Sequence, residues 1–182
     1  VGGFLINGQS AGDISGNSVS AAGDVNGDGL ADLIVGASGS SPVAVPYAGR
    51  SYVVYGKTDG TAVDLSTIAT GVGGFVINGQ SAGDWSGVSV STAGDVNGDG
   101  LADLIVRANG SNAERSYVVY GKANGTAVDL STIATGVGGF VINGQGAGYI
   151  SGNTVSAAGD VNGDGLADLI VGAAYQRPGG RT

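Results

Sequence analysis

The sequence predicts an all-β chain of propeller-type blades, each made of four short antiparallel strands. Three observations predict it. The 182-residue chain is one sequence written between two and three times: Val1-Gly2-Gly3-Phe4 returns at Val72-Gly73-Gly74-Phe75 and at Val137-Gly138-Gly139-Phe140. Within a repeat of roughly 65 residues, short β-branched and aliphatic runs alternate with Gly-rich punctuation, the pattern of stacked blades. No segment sustains helical periodicity over ~12 residues.

The strands are read in chain order. Phe4-Leu5-Ile6-Asn7 is the first. Asn17 to Ala22 leads into an acidic loop, Asp32 to Ala37 leaves it, and Ser51-Tyr52-Val53-Val54-Tyr55 is the fourth, closed by Gly56. Thr61 to Ile68, repeated at Thr126 to Ile133, is expected to form a short helical turn with Leu65 and Ile68 tucked inward. The repeats span 1–71, 72–136 and 137–182. The first carries a six-residue insertion around Ser40 to Tyr47, which holds two of the three prolines and is expected on a loop at one face. The third ends at Gly180-Arg181-Thr182, where the earlier copies read Arg50-Ser51-Tyr52 and Arg115-Ser116-Tyr117, and is read as incomplete, its last strand missing.

The acidic loop carries the chemistry. Asp24-Val25-Asn26-Gly27-Asp28-Gly29-Leu30-Ala31-Asp32 recurs unchanged as Asp95 to Asp103 and as Asp160 to Asp168. Each copy reads D-x-N-x-D-G-x-x-D. Three carboxylates, a side-chain amide and a turn-making glycine form an oxygen-only donor set, which hard cations such as calcium require. Asp, Asn and Gly are also ordinary turn residues. Three identical copies, each with mutually repelling carboxylates, favour the cation. The expected ligands are Asp24, Asn26, Asp28 and Asp32 with the carbonyl of Leu30; Asp95, Asn97, Asp99 and Asp103 with Leu101; and Asp160, Asn162, Asp164 and Asp168 with Leu166. That makes three calcium ions per chain. Gly29 permits the sharp turn. An EF-hand would need Glu at position 12, inside a helix. Position 12 here is Val35, Val106 or Val171, within an apolar run, so the loop is expected to join strand to strand.

Phe-x-x-x-Gly, the D-x-N-x-D-G-x-x-D loop, Leu-Ile-Val-Gly-Ala and Gly-Arg-Ser-Tyr-Val-Val-Tyr-Gly together resemble the FG-GAP repeat, the unit of integrin-α β-propellers and of many bacterial surface or secreted proteins. The near-identical copies look more like the bacterial tandem arrays. The resemblance implies a calcium loop between the first two strands of each blade. It also implies that the Phe4-type strand is the outermost strand of the preceding blade. Departures from the pattern are Arg107 in place of Gly36 and Gly172, Tyr149 in place of Asp13 and Asp84, and Val88 in place of Asn17 and Asn153. None falls in the loops.

Composition excludes several functions. With no His, no Cys and a single Glu, Glu114, acid–base chemistry would fall on aspartates. The loops claim nine of these, and Asp13, Asp59, Asp64, Asp84 and Asp129 follow the repeat as turn and cap residues, so a non-catalytic role is expected. Seven Lys and Arg against a net charge of −8 make nucleic acid a poor partner. No run of ~18 apolar residues exists, so no membrane span is expected. Tyr52, Tyr55, Tyr117 and Tyr120 read as packing between sheets. Trp85, standing where other copies have Ile14 and Ile150, is expected to face the core, with a glycan platform as the alternative. Asn109-Gly110-Ser111 and Asn124-Gly125-Thr126 match the N-glycan acceptor pattern, a frequent chance match in so Gly- and Asn-rich a chain.

The expected function is a calcium-stabilised extracellular structural or adhesive array. It would be part of a larger propeller or head-to-tail assembly, paired with identical repeats or subunits through end strands. Alternatives are a propeller domain binding a glycan or surface protein, and an open-ended filament subunit. Localisation is expected outside the cell or at its surface, where calcium is millimolar.

Overall fold

The computed structural model describes residues 3–42, 45–110, 114–144 and 151–173. Residues 145–150 and 174–182, with Tyr149, Ile150 and the expected break in the third repeat, lie outside this set, as does Ser111 of the first glycan-acceptor pattern.

The described residues are all-β apart from two single-turn helices. Strands β1 (Ile6–Asn7), β2 (Ser15–Gly23), β3 (Asp32–Ala37), β4 (Arg50–Val54) and β5 (Val63–Asp64) precede helix α1 (Leu65–Ile68). Strands β6 (Gly74–Asn78), β7 (Ser89–Gly94), β8 (Asp103–Asn109), β9 (Glu114–Val119) and β10 (Val128–Asp129) precede α2 (Leu130–Ile133). Strands β11 (Gly139–Asn143), β12 (Ser151–Gly159) and β13 (Asp168–Ala173) follow.

The structural blade is offset from the sequence repeat by one strand. The first blade is β2-β3-β4-β6, antiparallel throughout, and the second is β7-β8-β9-β11. The strands beginning the second and third Val-Gly-Gly-Phe segments, β6 and β11, therefore close the blade before them, as the resemblance implies. Of the third blade, β12 and β13 are described. The first strands β2, β7 and β12 lie side by side, with β7 between the other two. Strand β1 is shorter than the sequence suggests: only Ile6 and Asn7 are paired, to β5. An outermost strand extends fully when an antiparallel neighbour binds it, as β4 binds β6 along five residues.

Both faces of the first two blades are buried, which explains why their strands read as continuous apolar runs. Ile34 and Val53 of the first blade point toward the second, where they pack with Val90, Leu104 and Val106. Val35, Tyr52 and Val54, one residue out of phase, pack on the opposite face with Leu65, Ile68 and Val76. The helical turns behave as expected: Leu65, Ile68, Leu130 and Ile133 are all buried.

The segment before each helical turn straps neighbouring blades. Strand β10, between the last two strands of the second blade, runs parallel to β6 at the edge of the first. Strand β5 runs likewise against β1. Asp64 and Asp129 sit at the helix N-cap position but make no side-chain cap. They instead accept hydrogen bonds from Asn7 Nδ2 (2.7 Å) and Asn78 Nδ2 (2.9 Å). The cap expected from sequence is thus a strut between blades, and the strap covers an edge that would otherwise expose unpaired backbone groups.

Tyr52 and Tyr117 are fully buried, and their hydroxyls donate to Gln9 Oε1 (2.5 Å) and Gln80 Oε1 (2.7 Å). Tyr55 and Tyr120 meet Phe75 and Phe140 edge to face. Trp85 corrects the core-facing expectation. It is 36% exposed and stacks on Tyr47, which the first-repeat insertion presents. Its turn lies at the surface with φ of 48°, so the large ring is carried outward. Among the described residues no helix is long and apolar enough to cross a membrane.

Candidate metal centre

Each acidic loop joins the first two strands of a blade, leaving at Gly23, Gly94 or Gly159 and re-entering at Asp32, Asp103 or Asp168. The strand-to-strand placement expected from the aliphatic position 12 is present in all three copies.

The loop folds around its own first aspartate. Asp24 Oδ1 accepts from the backbone N–H of Gly27 (2.8 Å) and Asp28 (3.1 Å), and Oδ2 accepts from Gly29 (2.9 Å). Asp95 repeats this with Gly98, Asp99 and Gly100, and Asp160 with Gly163, Asp164 and Gly165. Asn26 Oδ1 accepts from Asp28 N, and its amide donates to Asp28 Oδ2, both at 2.9 Å. Asp28 Oδ1 accepts from Leu30 N at 2.8 Å. Asn97 with Asp99 and Asn162 with Asp164 do the same. Side-chain oxygens standing in for backbone carbonyls are what make Asp and Asn turn-formers.

The ninth residue ties the loop to the sheet. Asp32 is fully buried; its Oδ2 accepts from Val25 N (2.8 Å) and its Oδ1 from Gly56 N (2.7 Å), beyond β4. Asp103, equally buried, binds Val96 N and Gly121 N. Asp168 binds Val161 N at 2.7 Å. Burial pushes the Asp32 carboxyl above its ordinary range, and the charges of Asp28 and Asp24 push the same way against the two N–H donors. Asp103 is raised by burial and by Asp99 and Asp95 in the same manner.

The loops also touch one another in a fixed register. Ala102 N of the second loop donates to the Asp24 carbonyl of the first at 2.9 Å, and Ala167 N of the third donates to the Asp95 carbonyl at 2.9 Å. Lys122 N donates to the carbonyl of Val25 at 2.8 Å, covering the first loop with the segment that follows β9.

Sequence reasoning thus places the four side-chain donors of each copy on one loop, and the structure keeps them together. As they stand, among the described residues no three carboxylates converge closely enough to enclose an ion, because each turns an oxygen to a backbone N–H. The donor set still fits a hard cation. Each carboxylate oxygen has two acceptor sites, and every loop aspartate keeps at least one oxygen with no more than one N–H bond, which leaves capacity for a metal. The described ion pairs are Lys57–Asp59 and Arg107–Glu114, so no basic side chain neutralises a described loop carboxylate. A buried carboxylate facing two like charges is costly to ionise, and a bound divalent cation would reverse that cost. What the sequence did not reveal is the second role of Asp32 and Asp103 as anchors for the far end of the blade. Gly56 and Gly121, each directly after the Tyr-Val-Val-Tyr strand of its repeat, were the available signal.

Comparison with known proteins agrees with the geometry. The family model described as FG-GAP repeat matches residues 15–54, 86–130 and 151–182. Phosphatidylinositol-glycan-specific phospholipase D of Bos taurus is 33% identical over 168 residues, covering 87% of this chain and 18% of that protein. Integrin alpha-7 of Mus musculus is 32% identical over 151 residues, 82% of this chain and 11% of its own length. Integrin alpha-4 of Xenopus laevis is 27% identical over 175 residues, 93% and 15% respectively. The chain spans less than a fifth of each of these relatives.

Proposed function

Because the chain belongs to the FG-GAP repeat family, we propose that it is a non-catalytic, calcium-braced module of a larger propeller, serving an extracellular structural or adhesive role. One observation carries the reading: three identical oxygen-rich loops are joined to one another by the same backbone bond, Asp24 to Ala102 and Asp95 to Ala167. An ion held by Asp24, Asn26, Asp28, the Leu30 carbonyl and Asp32 would sit in the loop that forms the seam between blades. Binding there would stabilise blade packing as well as the turn. The same applies to Asp95, Asn97, Asp99, Leu101 and Asp103, and to Asp160, Asn162, Asp164, Leu166 and Asp168. Calcium supplies charge neutralisation and flexible oxygen coordination; magnesium, which demands a tighter octahedral shell, substitutes poorly. The integrin relatives support an adhesive setting outside the cell. The phospholipase relatives are far longer than the matched region, which leaves room for catalysis elsewhere in those chains.

The register of the loop contacts also supports docking to further repeats. The carbonyl of Asp160 and the N–H of Ala31 are the groups that an additional blade, from the same polypeptide or an identical subunit, would engage at either side. Light scattering of the purified chain tests this; a monodisperse monomer across a wide concentration range contradicts assembly between subunits.

Calorimetric titration tests the metal reading. Three calcium ions are expected per chain. Asp28→Ala is expected to lower the stoichiometry by one, while Asp13→Ala, outside the loop, leaves it at three. Equal losses for both variants, or no heat at millimolar calcium, would falsify the assignment.

A further inference from the structure

We propose that the first-repeat insertion and Trp85 together build a binding site for a neutral saccharide. These are two places where the chain departs from its own repeat, and the fold brings them together. Tyr47, from the insertion, and Trp85, where other copies carry Ile, stack with ring centroids 5.1 Å apart and planes 16° from parallel. Both remain at the surface, 53% and 36% exposed. Both also lie in the left-handed region, with φ of 52° and 48°. Bulky side chains adopt that conformation at a cost unless surrounding structure enforces it.

The turn at Trp85 belongs to the repeat, since Ile14 has φ of 54° there, and a ladder of backbone bonds ties it to the insertion. Gly83 N donates to the Pro46 carbonyl (3.0 Å), Trp85 N to Tyr47 (3.0 Å) and Ser86 N to Ala48 (2.9 Å). Ser41 Oγ accepts from Tyr47 N at 3.0 Å. The aromatic pair is therefore fixed in place before any ligand arrives, which removes part of the ordering cost of binding.

The same insertion walls a cavity of about 340 Å³ with Pro42 and Val45, and its floor is polar: Arg50, Asn78, Gln80, Asp129 and Ser131. These groups are already oriented. Arg50 Nε donates to Asn78 Oδ1 (3.1 Å), Asn78 Nδ2 to Asp129 Oδ1 (2.9 Å), and Gln80 Oε1 accepts from the Tyr117 hydroxyl. The loop from Gly79 to Ser86 runs from this cavity to Trp85, alongside the insertion, with Gly79 N bonded to the Gly49 carbonyl at 2.9 Å. A sugar presents an apolar C–H face and a rim of hydroxyls that both donate and accept. The aromatic pair, whose Tyr47 lies two residues beyond the Val45 wall of the cavity, suits the apolar face, and the guanidinium, amide, carboxylate and hydroxyl groups of the cavity suit the rim. A proline-rich peptide would also stack on Tyr and Trp, but it leaves the polar cavity unused. The net charge of −8 disfavours acidic ligands, so the saccharide is neutral.

The chain's single tryptophan makes the test specific. The full chain, in millimolar calcium throughout, is titrated with maltotriose, cellotriose, triacetylchitotriose and a proline decamer, following tryptophan emission and then calorimetry. At least one trisaccharide is expected to give a saturable response. Trp85→Ile, which installs the residue the other copies carry, and Tyr47→Ala are each expected to weaken calorimetric affinity about tenfold or more. Asp129→Asn is expected to weaken it several-fold. No response to any trisaccharide, a response to the proline decamer alone, or unchanged affinity in Trp85→Ile overturns the proposal. None of these outcomes bears on calcium stoichiometry.

Discussion

Between the first and second blades, the loop-to-loop bond from Ala102 N to the Asp24 carbonyl is 2.9 Å; between the second and third, Ala167 N reaches the Asp95 carbonyl at the same distance. At the far end of the second strand of each blade the two seams diverge. Gly36 of the first blade lies against the backbone of Gly87, so close that a Cβ on Gly36 would fall 2.1 Å from the Gly87 carbonyl oxygen. The second blade carries Arg107 at that position, 5% exposed and ion-paired at 3.0 Å to Glu114, the only glutamate in the chain. Identical loops therefore set identical contacts where the loops meet. The residue at the other end decides whether backbone meets backbone or a buried charged pair takes the space. Near-identical repeats need not make equivalent seams.

The largest test of that contrast is to break the ion pair. Glu114→Ala leaves the Arg107 guanidinium buried without a counter-charge and is expected to cost about 3–5 kcal/mol in urea unfolding. The pair is itself imperfectly satisfied, since Arg107 Nε and Glu114 Oε2 have no hydrogen-bond partner among the described residues. Arg107→Gly with Glu114→Gly, the residues of the first repeat, should therefore recover most of the loss. A double variant no more stable than the single one would mean that the pair matters through packing alone.

Next in size is Gly36→Ala. Its Cβ meets rigid backbone across the seam, and overpacking of this kind is expected to cost about 1–3 kcal/mol or more. Gly172→Ala in the third blade meets first the Thr154 hydroxyl at 2.9 Å, which can rotate away, and should cost less. Equal costs in thermal unfolding would show that the seam does not distinguish them.

Calcium removal sharpens the comparison between loops. At extracellular affinities of ~0.1–1 mM, each site adds roughly 0.4–1.4 kcal/mol at millimolar calcium. The first loop, whose Val25 is fully buried, should contribute more than the third, whose Val161 is 74% exposed, because less ordering remains for the ion to impose. Melting of Asp32→Asn and Asp168→Asn with and without chelator measures it. The pH dependence has a definite sign. The Asp32 and Asp103 carboxyls are raised in the folded state, so their contribution is fully present below the ordinary value of 3.8 and is lost as pH rises through the folded value. In chelator this contribution should grow as pH falls through the folded values of these two carboxyls. In excess calcium that gain should shrink or reverse, because protons then compete with the ion.

The smallest expected effect is at the straps. Asp64→Ala and Asp129→Ala each remove one exposed amide–carboxylate bond between blades and should cost about 0.5–1.5 kcal/mol. Loss of a helix cap would instead appear as a drop confined to the helical turn, which hydrogen exchange at Leu65–Ile68 separates from opening at β1 or β6.

Much of this was readable in the chain because it depends on local chemistry. The alternation Leu33-Ile34-Val35 with Tyr52-Val53-Val54 specified strands buried on both faces, and the Asp24–Asp32 pattern specified a turn of oxygen donors whatever surrounds it. The inward Leu65 and Ile68 followed from a three-residue apolar spacing, one turn of helix. Other features were illegible because they depend on which segments meet. Asp64 looked like a cap and is a strut, since Asn7 reaches it across 57 positions of sequence. Trp85 looked like core and is at the surface, since its repeat position is a left-handed turn at the edge of the blade, where Ile14 is likewise exposed with φ of 54°. Arg107 looked like a mere lapse in the repeat and proved to be half of a buried ion pair. The sequence by itself determined the strands, their period and the donor set, because these follow from residue-by-residue preferences of backbone and side chain. Only the tertiary structure decided the offset between blade and repeat, the partners of the non-repeating residues and the character of each seam, because those are contacts between segments whose distance apart no local preference encodes.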